Sequence, residues 1–413
     1  MVRTSPPAAP SGAAGSSSVA AALDRAVRDH HGRLVASLAS RSGDIAAAED
    51  ALSEAVARAL EAWEARGVPD APEAWLLTTA RNVLKDRWKS AAYRLETPED
   101  DAPEPGEEPM DLDAIPDERL KLMFVCAHPA IAREVRTPLM LQTVIGLEPA
   151  RMAPAFAMAA AALSQRLVRA KRKIKAARIA FVLPEAEDLP SRLGAVLEAI
   201  YGAYAITFQE HAAQLTEDMA TEALYLADLA VETLPEEPEA LGLAALLNFS
   251  HARREAQPPG VFVPLPEQDP TLWDARRMAR AVNLLRRAGA MGQMGPFQLE
   301  AAIQAVHADR AQTGLTDWAA IAHLYAGLVR FAPTLGARVA QAAAIGEWKG
   351  PEAGLAALAR VEDPKTETFQ PYHATRAHLL AGAGRADEAR QAYDRAIELT
   401  TEEAVRDWLV ARR

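Results

Sequence analysis

Arg81, Lys85, Trp88 and Lys89 recur in PEAWLLTTARNVLKDRWKS (72–90) at spacings that, at 100° per residue, put three cations and an indole on one side of a helix. Leu76, Ala80, Val83 and Leu84 make an apolar stripe on the other side. Guanidinium and ammonium groups neutralise phosphates, and an indole among them can stack on a base, so the pattern suits nucleic acid. A solvated charged face around a half-buried Trp has the same periodicity, and both readings stand at this point.

A second cationic cluster, LSQRLVRAKRKIK (163–175), packs six Lys and Arg into thirteen residues of a chain whose net charge is −11. Leu163, Leu167, Ala170 and Ile174 share a narrow sector of the helical wheel, and Arg166, Arg169, Lys171, Arg172, Lys173 and Lys175 occupy the rest. Just before it, ARMAPAFAM (150–158) can supply a shorter helix and the alanines at 159–162 a turn, which together make a helix-turn-helix. In such a pair the second helix enters the major groove. A calmodulin-like target, a membrane-surface helix and a merely soluble face compete with that reading.

Residues able to do covalent chemistry are sparse. Cys126 and His128 have neither metal-site spacing nor a second cluster, and they read as a buried Cys beside a structural His. His373 and His378 are five apart rather than four, without a zinc-protease Glu. His211 sits beside Gln209 and Glu210, a core-edge or a binding histidine. No Gly-rich phosphate loop or Gly-x-Ser-x-Gly occurs. The expectation is a protein that is not an enzyme and has no cofactor and no metal.

The elements that carry these residues are helical nearly throughout, rich in Ala, Leu, Glu and Arg. At 413 residues, two or three domains are expected. Ala51, Leu52, Ala55, Val56, Ala59, Leu60 and Trp63 recur at helical spacing, with Asp50, Glu54, Arg58 and Glu61 elsewhere on the surface, until EARGVPDAP (64–72) breaks the pattern.

Charge by region sharpens the division. Residues 1–183 balance 24 basic against 24 acidic residues, while the remainder carries 21 against 32 and hence the whole net charge. Within the first part, residues 96–118 hold eleven acidic residues and no basic one, which leaves their flanks 24 basic against 13 acidic. That Pro-rich, aromatic-free acidic stretch cannot bury enough to fold, so a linker over 96–117 separates two small basic modules.

A single cysteine excludes an internal disulfide and suits a reducing compartment. The opening MVRTSPPAAPSGAAGSSS reads as a disordered tail over 1–20 rather than a signal peptide, and no run of about eighteen apolar residues follows. A cytoplasmic protein without membrane contact is expected.

Several stretches together resemble a known family. AEDALSEAVARALEAW (48–63) and AWLLTTARNVLKDRW (74–88) resemble region two of extracytoplasmic-function (ECF) sigma factors of the sigma-70 family. DERLKLMFVCAHPAI (117–131) and QRLVRAKRKIKAARI (165–179) resemble region four of the subgroup with a long tetratricopeptide-like helical extension. LEAIYGAYAITFQE (197–210), DPTLWDARRMARAVNLL (269–285) and DWAAIAHLYAGLV (317–329) are similar to that extension.

The resemblance implies an all-α chain: region two at 21–95, the acidic linker at 96–117, a region four helix-turn-helix at 118–181 and a helical extension at 185–413. It implies a subunit that directs promoter recognition, −10 melting and transcription initiation without catalysis. Asp50 and Glu54, with their apolar neighbours Leu52 and Ala55, would dock on the β′ clamp helices of core RNA polymerase, and region four on the β flap. The loop 64–72 would capture an extruded base, and Arg81, Asn82, Lys85, Trp88 and Lys89 would face promoter DNA. The linker would thread towards the polymerase cleft, and helix 161–175, with Arg166, Arg169, Lys171, Arg172 and Lys173, would lie in the −35 major groove.

Two features depart from the family's pattern. Pro154 falls inside the first helix of the helix-turn-helix, where it would cost about 3 kcal/mol, so that helix is expected to kink or to restart there. EPARMAPAFAMAAAA (148–162) is unusually rich in alanine, so grip on phosphates is expected to exceed reading of bases.

Within the extension, RAHLLAGAGRADEARQAYDRAIEL (376–399) has the small and large apolar alternation of one tetratricopeptide-like unit near 370–400, with Leu379, Leu380, Ala389, Tyr393, Ala396 and Ile397 as packing positions. EALYLADLAVETLPEEPEALGLAALLNFSHARRE (222–255) reads as paired helices with a Pro-marked turn. Such arrays present grooves to a protein partner, and an acidic array can equally make an intramolecular contact that masks the basic modules. A regulatory extension is expected. The alternative is a helical-repeat interaction protein whose degenerate sigma modules no longer direct polymerase.

Overall fold

The computed structural model describes residues 12–94, 117–156, 158–209, 213–258 and 260–413. The regular elements among them are all helices, as the periodicities require. The chain divides into two compact units, residues 1–199 and 200–413.

The first unit contains α1 (Gly12–Ser42), α2 (Ile45–Arg66), α3 (Pro72–Arg94), α4 (Arg119–Cys126), α5 (Arg133–Thr143), α6 (Pro149–Met152) and α7 (Ala160–Ala176); α8 (Leu189–Gln209) runs across the division. Helix α1 starts within the stretch expected as a tail, and it already buries Val19 and Leu23; residues 1–11 of that stretch lie outside the described residues. Asp44 starts α2 by accepting a hydrogen bond from the Ala47 N–H at 3.2 Å, one of the donors that a helix start leaves free. Gly67 ends α2 at φ 87°, a conformation open to glycine, and its N–H donates to the Trp63 carbonyl. Across the short loop that follows, Trp63 and Trp75 meet edge to face at 5.6 Å and set the α2–α3 hairpin. Leu60, expected in the apolar stripe, is 42% exposed instead.

Of the expected acidic linker, only Asp117 lies among the described residues, where it pairs with Arg119 at 2.6 Å. Helix α4 buries nearly every side chain, including Phe124 and Cys126. Helix α6 ends at Met152, with Ala153 as its C-cap, so Pro154 stands just beyond it and neither kinks nor restarts a helix. Residues 153–156 turn the chain, and Ala160, Ala161 and Ala162 form the first turn of α7 rather than the expected connection.

The two basic modules share one compact unit. Helix α1 packs on α4 and α5, and α2 packs on α7. The approach depends on Gly32 of α1, where a methyl group would overlap the backbone carbonyl oxygen of Val144 just past α5. Beside it, Gly146 turns at φ 78° against the His31 ring.

The second unit contains α9 (Ala213–Thr233), α10 (Pro238–Ala252), α11 (Ala275–Ala290), α12 (Pro296–Ala308), α13 (Arg310–Thr313), α14 (Trp318–Phe331), α15 (Leu335–Lys349), α16 (Pro351–Leu358), α17 (Gln370–Gly382), α18 (Ala386–Leu399) and α19 (Glu403–Val410). Helices α9 and α10 are the expected pair about Leu234–Pro238, and α17 and α18 form a hairpin over the expected repeat, burying Leu379, Leu380, Ala389, Tyr393 and Ala396. Ile397 is half-buried against that core. Glu239, in the first turn of α10, accepts from the Phe297 and Gln298 N–H groups at 2.9 and 3.1 Å and so fixes the start of α12 beside its own helix.

Candidate nucleic-acid interface

The apolar stripe of α3, Leu76, Ala80, Val83 and Leu84, is buried together with Leu77. That orientation presents Asn82, Trp88 and Lys89 to solvent and leaves Lys85 half-buried. Trp88 is 51% exposed, so an indole stands among cations with a free face. Arg81 is half-buried and donates to the Ser37 hydroxyl of α1 at 3.2 Å, which restrains its guanidinium at the edge of this surface. The loop between α2 and α3 is shorter than the expected 64–72, because α2 continues to Arg66; Val68 is its exposed apolar residue.

Asp50 is exposed on α2 and Glu54 half-buried. Arg58 bonds Glu54 at 2.5 Å, and Arg87 of α3 reaches Glu54 at 3.1 Å and Asp50 at 3.7 Å. The hydrogen bonds from Arg58 and then Arg87 hold the Glu54 carboxyl below the usual carboxylate range. Leu52 and Ala55, expected to accompany the acidic pair at a partner surface, are 3% and 0% exposed and belong to the core. The large apolar side chain exposed on this helix is Leu60, at a position that the stripe places inward.

On α7, Leu163, Leu167, Ala170 and Ile174 are buried, and Arg166, Arg169, Arg172, Lys173 and Lys175 are exposed. Arg166, Arg169 and Lys173 line one wall of an open cleft of about 280 Å³, with Ala132, Glu134 and Val135 at the start of α5 opposite. The three cations on the α7 wall attract an anion such as a backbone phosphate, while the Glu134 carboxylate in the first turn of α5 opposes it.

Lys171 is the exception to the expected cationic face. It is 6% exposed, and its Nζ donates to both carboxylate oxygens of Glu49 on α2 at 2.6 Å. Lys175 reaches the capping residue Asp44 at 2.7 Å. Burial holds the Glu49 carboxyl above the usual range, with Lys171 opposing. Burial first, and then the Lys171 charge, holds the adjoining His31 below the usual imidazole value. Sequence reading missed Glu49. The available signal was angular, since Lys171 stands only 40° from Leu167 on the wheel, at the margin of the buried sector.

Cys126 is fully buried, bonds the Thr143 hydroxyl at 3.7 Å, and burial pushes its thiol up to about 12, so it behaves as a small core residue. His128 accepts the Ala130 N–H at 3.1 Å on Nδ1 and shapes the α4–α5 turn. His378 pairs with Glu347 at 2.7 Å, whereas the ring of His373 faces the Glu367 carbonyl, so the two do not converge; His211 lies outside the described residues. Among the described residues, no cluster of three His, Cys, Asp or Glu is placed to hold a metal, and no helix is long and apolar enough to cross a membrane.

Comparison with known proteins bears on two stretches of the chain. Residues 26–93, which contain α2 and all but the last residue of α3, match the Sigma-70 region 2 family, and residues 192–289 match a family of unknown function (DUF6596). An uncharacterised protein of Rhizobium meliloti (strain 1021) is 36% identical over 369 residues, 86% of each chain. The probable ECF RNA polymerase sigma factor SigI of Mycobacterium tuberculosis (strain ATCC 25618 / H37Rv) is 32% identical over 166 residues, 38% of this chain and 56% of that protein. The ECF RNA polymerase sigma factor SigL of the same strain is 40% identical over 82 residues, 19% of this chain and 46% of that protein. The chain thus spans about half the length of these two sigma factors. No solved structure matches.

Proposed function

Because the chain belongs to the ECF sigma-70 family and carries a helical C-terminal extension, we propose that it binds core RNA polymerase and directs transcription initiation, with the extension regulating it. Residues 21–95 act as region two, residues 118–181 as region four and residues 185–413 as the extension. Asp50 and Glu54 meet the β′ clamp helices, with Leu60 rather than Leu52 or Ala55 as the apolar contact, and the second module meets the β flap. Such a subunit works where polymerase and chromosome are, in the cytoplasm, and performs no catalysis of its own.

Arg81, Asn82, Lys85, Trp88 and Lys89 face the −10 element. Extruding a base costs a few kcal/mol, which a stacking partner offsets more readily than side chains reading a closed duplex. Arg166, Arg169, Arg172 and Lys173 grip the −35 backbone. Lys171 joins them only if α7 leaves Glu49.

The observation that carries this reading is Trp88, half in solvent amid the cations of α3. Run-off transcription with core polymerase on genomic fragments tests it: a promoter-dependent product is expected with the wild type and a much weaker one with Trp88→Ala. The four-residue α6 favours the second reading, a helical-repeat regulator with degenerate sigma modules, and absence of product on every fragment would select it.

A further inference from the structure

Several polar side-chain atoms of residues 200–413 that are buried without partners, those of His251, Arg253 and Trp273 among them, lie near one end of the α10–α12 pair. These helices start together at Glu239 and run in the same direction, so Arg253, the C-cap of α10, and His307, in the last turn of α12, come to the same end. Helix C-termini carry partial negative charge and tolerate a cation, which accounts for a guanidinium in this place. They do not satisfy it: Nη1 of Arg253 is buried without an acceptor, and no described carboxylate pairs with the side chain. A buried charge left in this state is unfavourable unless a partner meets it.

The surroundings add a second positive charge. Arg310 lies over the Trp273 ring at 5.3 Å and donates to the Leu265 and Gln268 carbonyls at 2.9 Å each, which hold it in place. Trp273 Nε1 and His251 Nδ1 are also buried without partners, and the Tyr204 ring stands 6.3 Å from that of His251. The nearby carboxylate of Asp274 is engaged in capping α11, accepting from the Arg276 and Arg277 N–H groups. Burial first, and then the charges of Arg253 and Arg310, lower His307 to about 4, and burial lowers His251 to about 4. Near neutral pH both imidazoles are therefore uncharged; Arg253 and Arg310 supply the positive charge beside His307, and Arg277, Arg254 and Asp274 the charges beside His251. Burial also brings Arg253 down to about 10, with the neighbouring Tyr204 phenol opposing the fall and the Arg310 charge adding to it.

We propose that this end of the α10–α12 pair binds a small oxyanion, a carboxylate or phosphate group, on the Arg253 guanidinium, with Arg310 as the second charge and Trp273 and His251 as neighbouring donors. The fork of an Arg matches either group.

The test uses the full chain, titrated with sodium phosphate or with sodium acetate against sodium chloride of matched ionic strength at pH 7.5. An anion well above its dissociation constant is expected to raise the unfolding midpoint by about 2–4 °C relative to chloride. Stabilisation by phosphate alone identifies a phosphate ligand, by acetate alone a carboxylate, and by both an unselective oxyanion site. Arg253→Met is expected to abolish the response and Arg253→Lys, which keeps the charge but loses the fork, to weaken binding at least tenfold. The proposal is overturned if neither anion differs from chloride, as when a water suffices for Nη1, or if folded R253M responds like the wild type. Should R253M lose its helical circular dichroism, hydrogen exchange on the wild type decides: added protection at 250–256 and 270–273 supports the site, and protection elsewhere or nowhere overturns it.

Discussion

Lys171 and Glu49 form a largely buried ion pair between α7 and α2, with 2.6 Å from the ammonium to each carboxylate oxygen. It draws a cation of the basic helix into the protein. Removing one partner leaves the other charge enclosed, so Glu49→Leu or Lys171→Met is expected to destabilise the first unit by about 1–3 kcal/mol, below a fully buried pair because Glu49 keeps some solvent contact. The double variant K171M/E49L is expected to recover most of the loss. Denaturant unfolding of the four proteins checks both statements, and additive losses would show that the two residues are not coupled.

The cations that remain exposed on α7 set a salt dependence. If about three to five of them neutralise phosphates, log affinity for promoter duplex falls against log salt with a slope near −3 to about −4.5. Arg169→Ala and Lys173→Ala are each expected to reduce that slope by about 1, and Lys171→Ala to leave it unchanged. Single-base substitutions across the −35 element are expected to change affinity little, and a base-substitution series with strong losses at particular positions would refute this.

Trp88 offers a test that leaves the fold intact, since half of its surface is already in solvent. Stacking on a base contributes about 1–3 kcal/mol, so Trp88→Ala is expected to weaken binding to single-stranded −10 DNA about tenfold to a hundredfold, with unchanged circular dichroism. Fluorescence anisotropy of a labelled oligonucleotide reads the effect.

Acid acts on the second unit through His251 and His307. Both are lowered from 6.5 to about 4, which means that the folded state resists a proton the unfolded state accepts. The stability this represents is complete above pH 6.5 and declines as pH falls towards 4. After allowance for partial solvent exposure, each histidine is expected to cost about 1 kcal/mol by pH 5. The difference between pH 7.5 and pH 5 in urea unfolding should shrink by that amount in His307→Gln, and an unchanged difference would exclude the mechanism.

Pro154 carries the clearest contrast with its sequence context. In a helix interior it would cost about 3 kcal/mol, yet it stands outside α6, so Pro154→Ala is expected to change stability by less than about 0.5 kcal/mol. A gain near 3 kcal/mol in thermal unfolding would show that the proline strains a helix after all.

What was legible in the sequence followed local rules. The stripes of α3 and α7 oriented Trp88, Lys89, Arg166 and Arg169 correctly, because a helix with one apolar face leaves its other face to solvent. The burial of Lys171 was not legible, because its partner Glu49 lies on another helix, over a hundred residues earlier in the chain. Leu60 escaped for a related reason: its spacing fits the stripe, but no neighbouring helix covers it. Arg253 is the extreme case, since its interest lies in a partner that no nearby side chain provides, and only three dimensions reveal that.

Gly32 and Val144, finally, bear on the order in which the first unit assembles. Their contact joins segments separated by over a hundred residues, and closing so long a loop costs about 4 kcal/mol of chain entropy before any packing is gained. Each surface must also exist beforehand, α1 as a helix and the turn after α5 in its final shape. The seat is therefore expected to form late in folding, so that Gly32→Ala would raise the unfolding rate more than it lowers the folding rate, which stopped-flow kinetics would read.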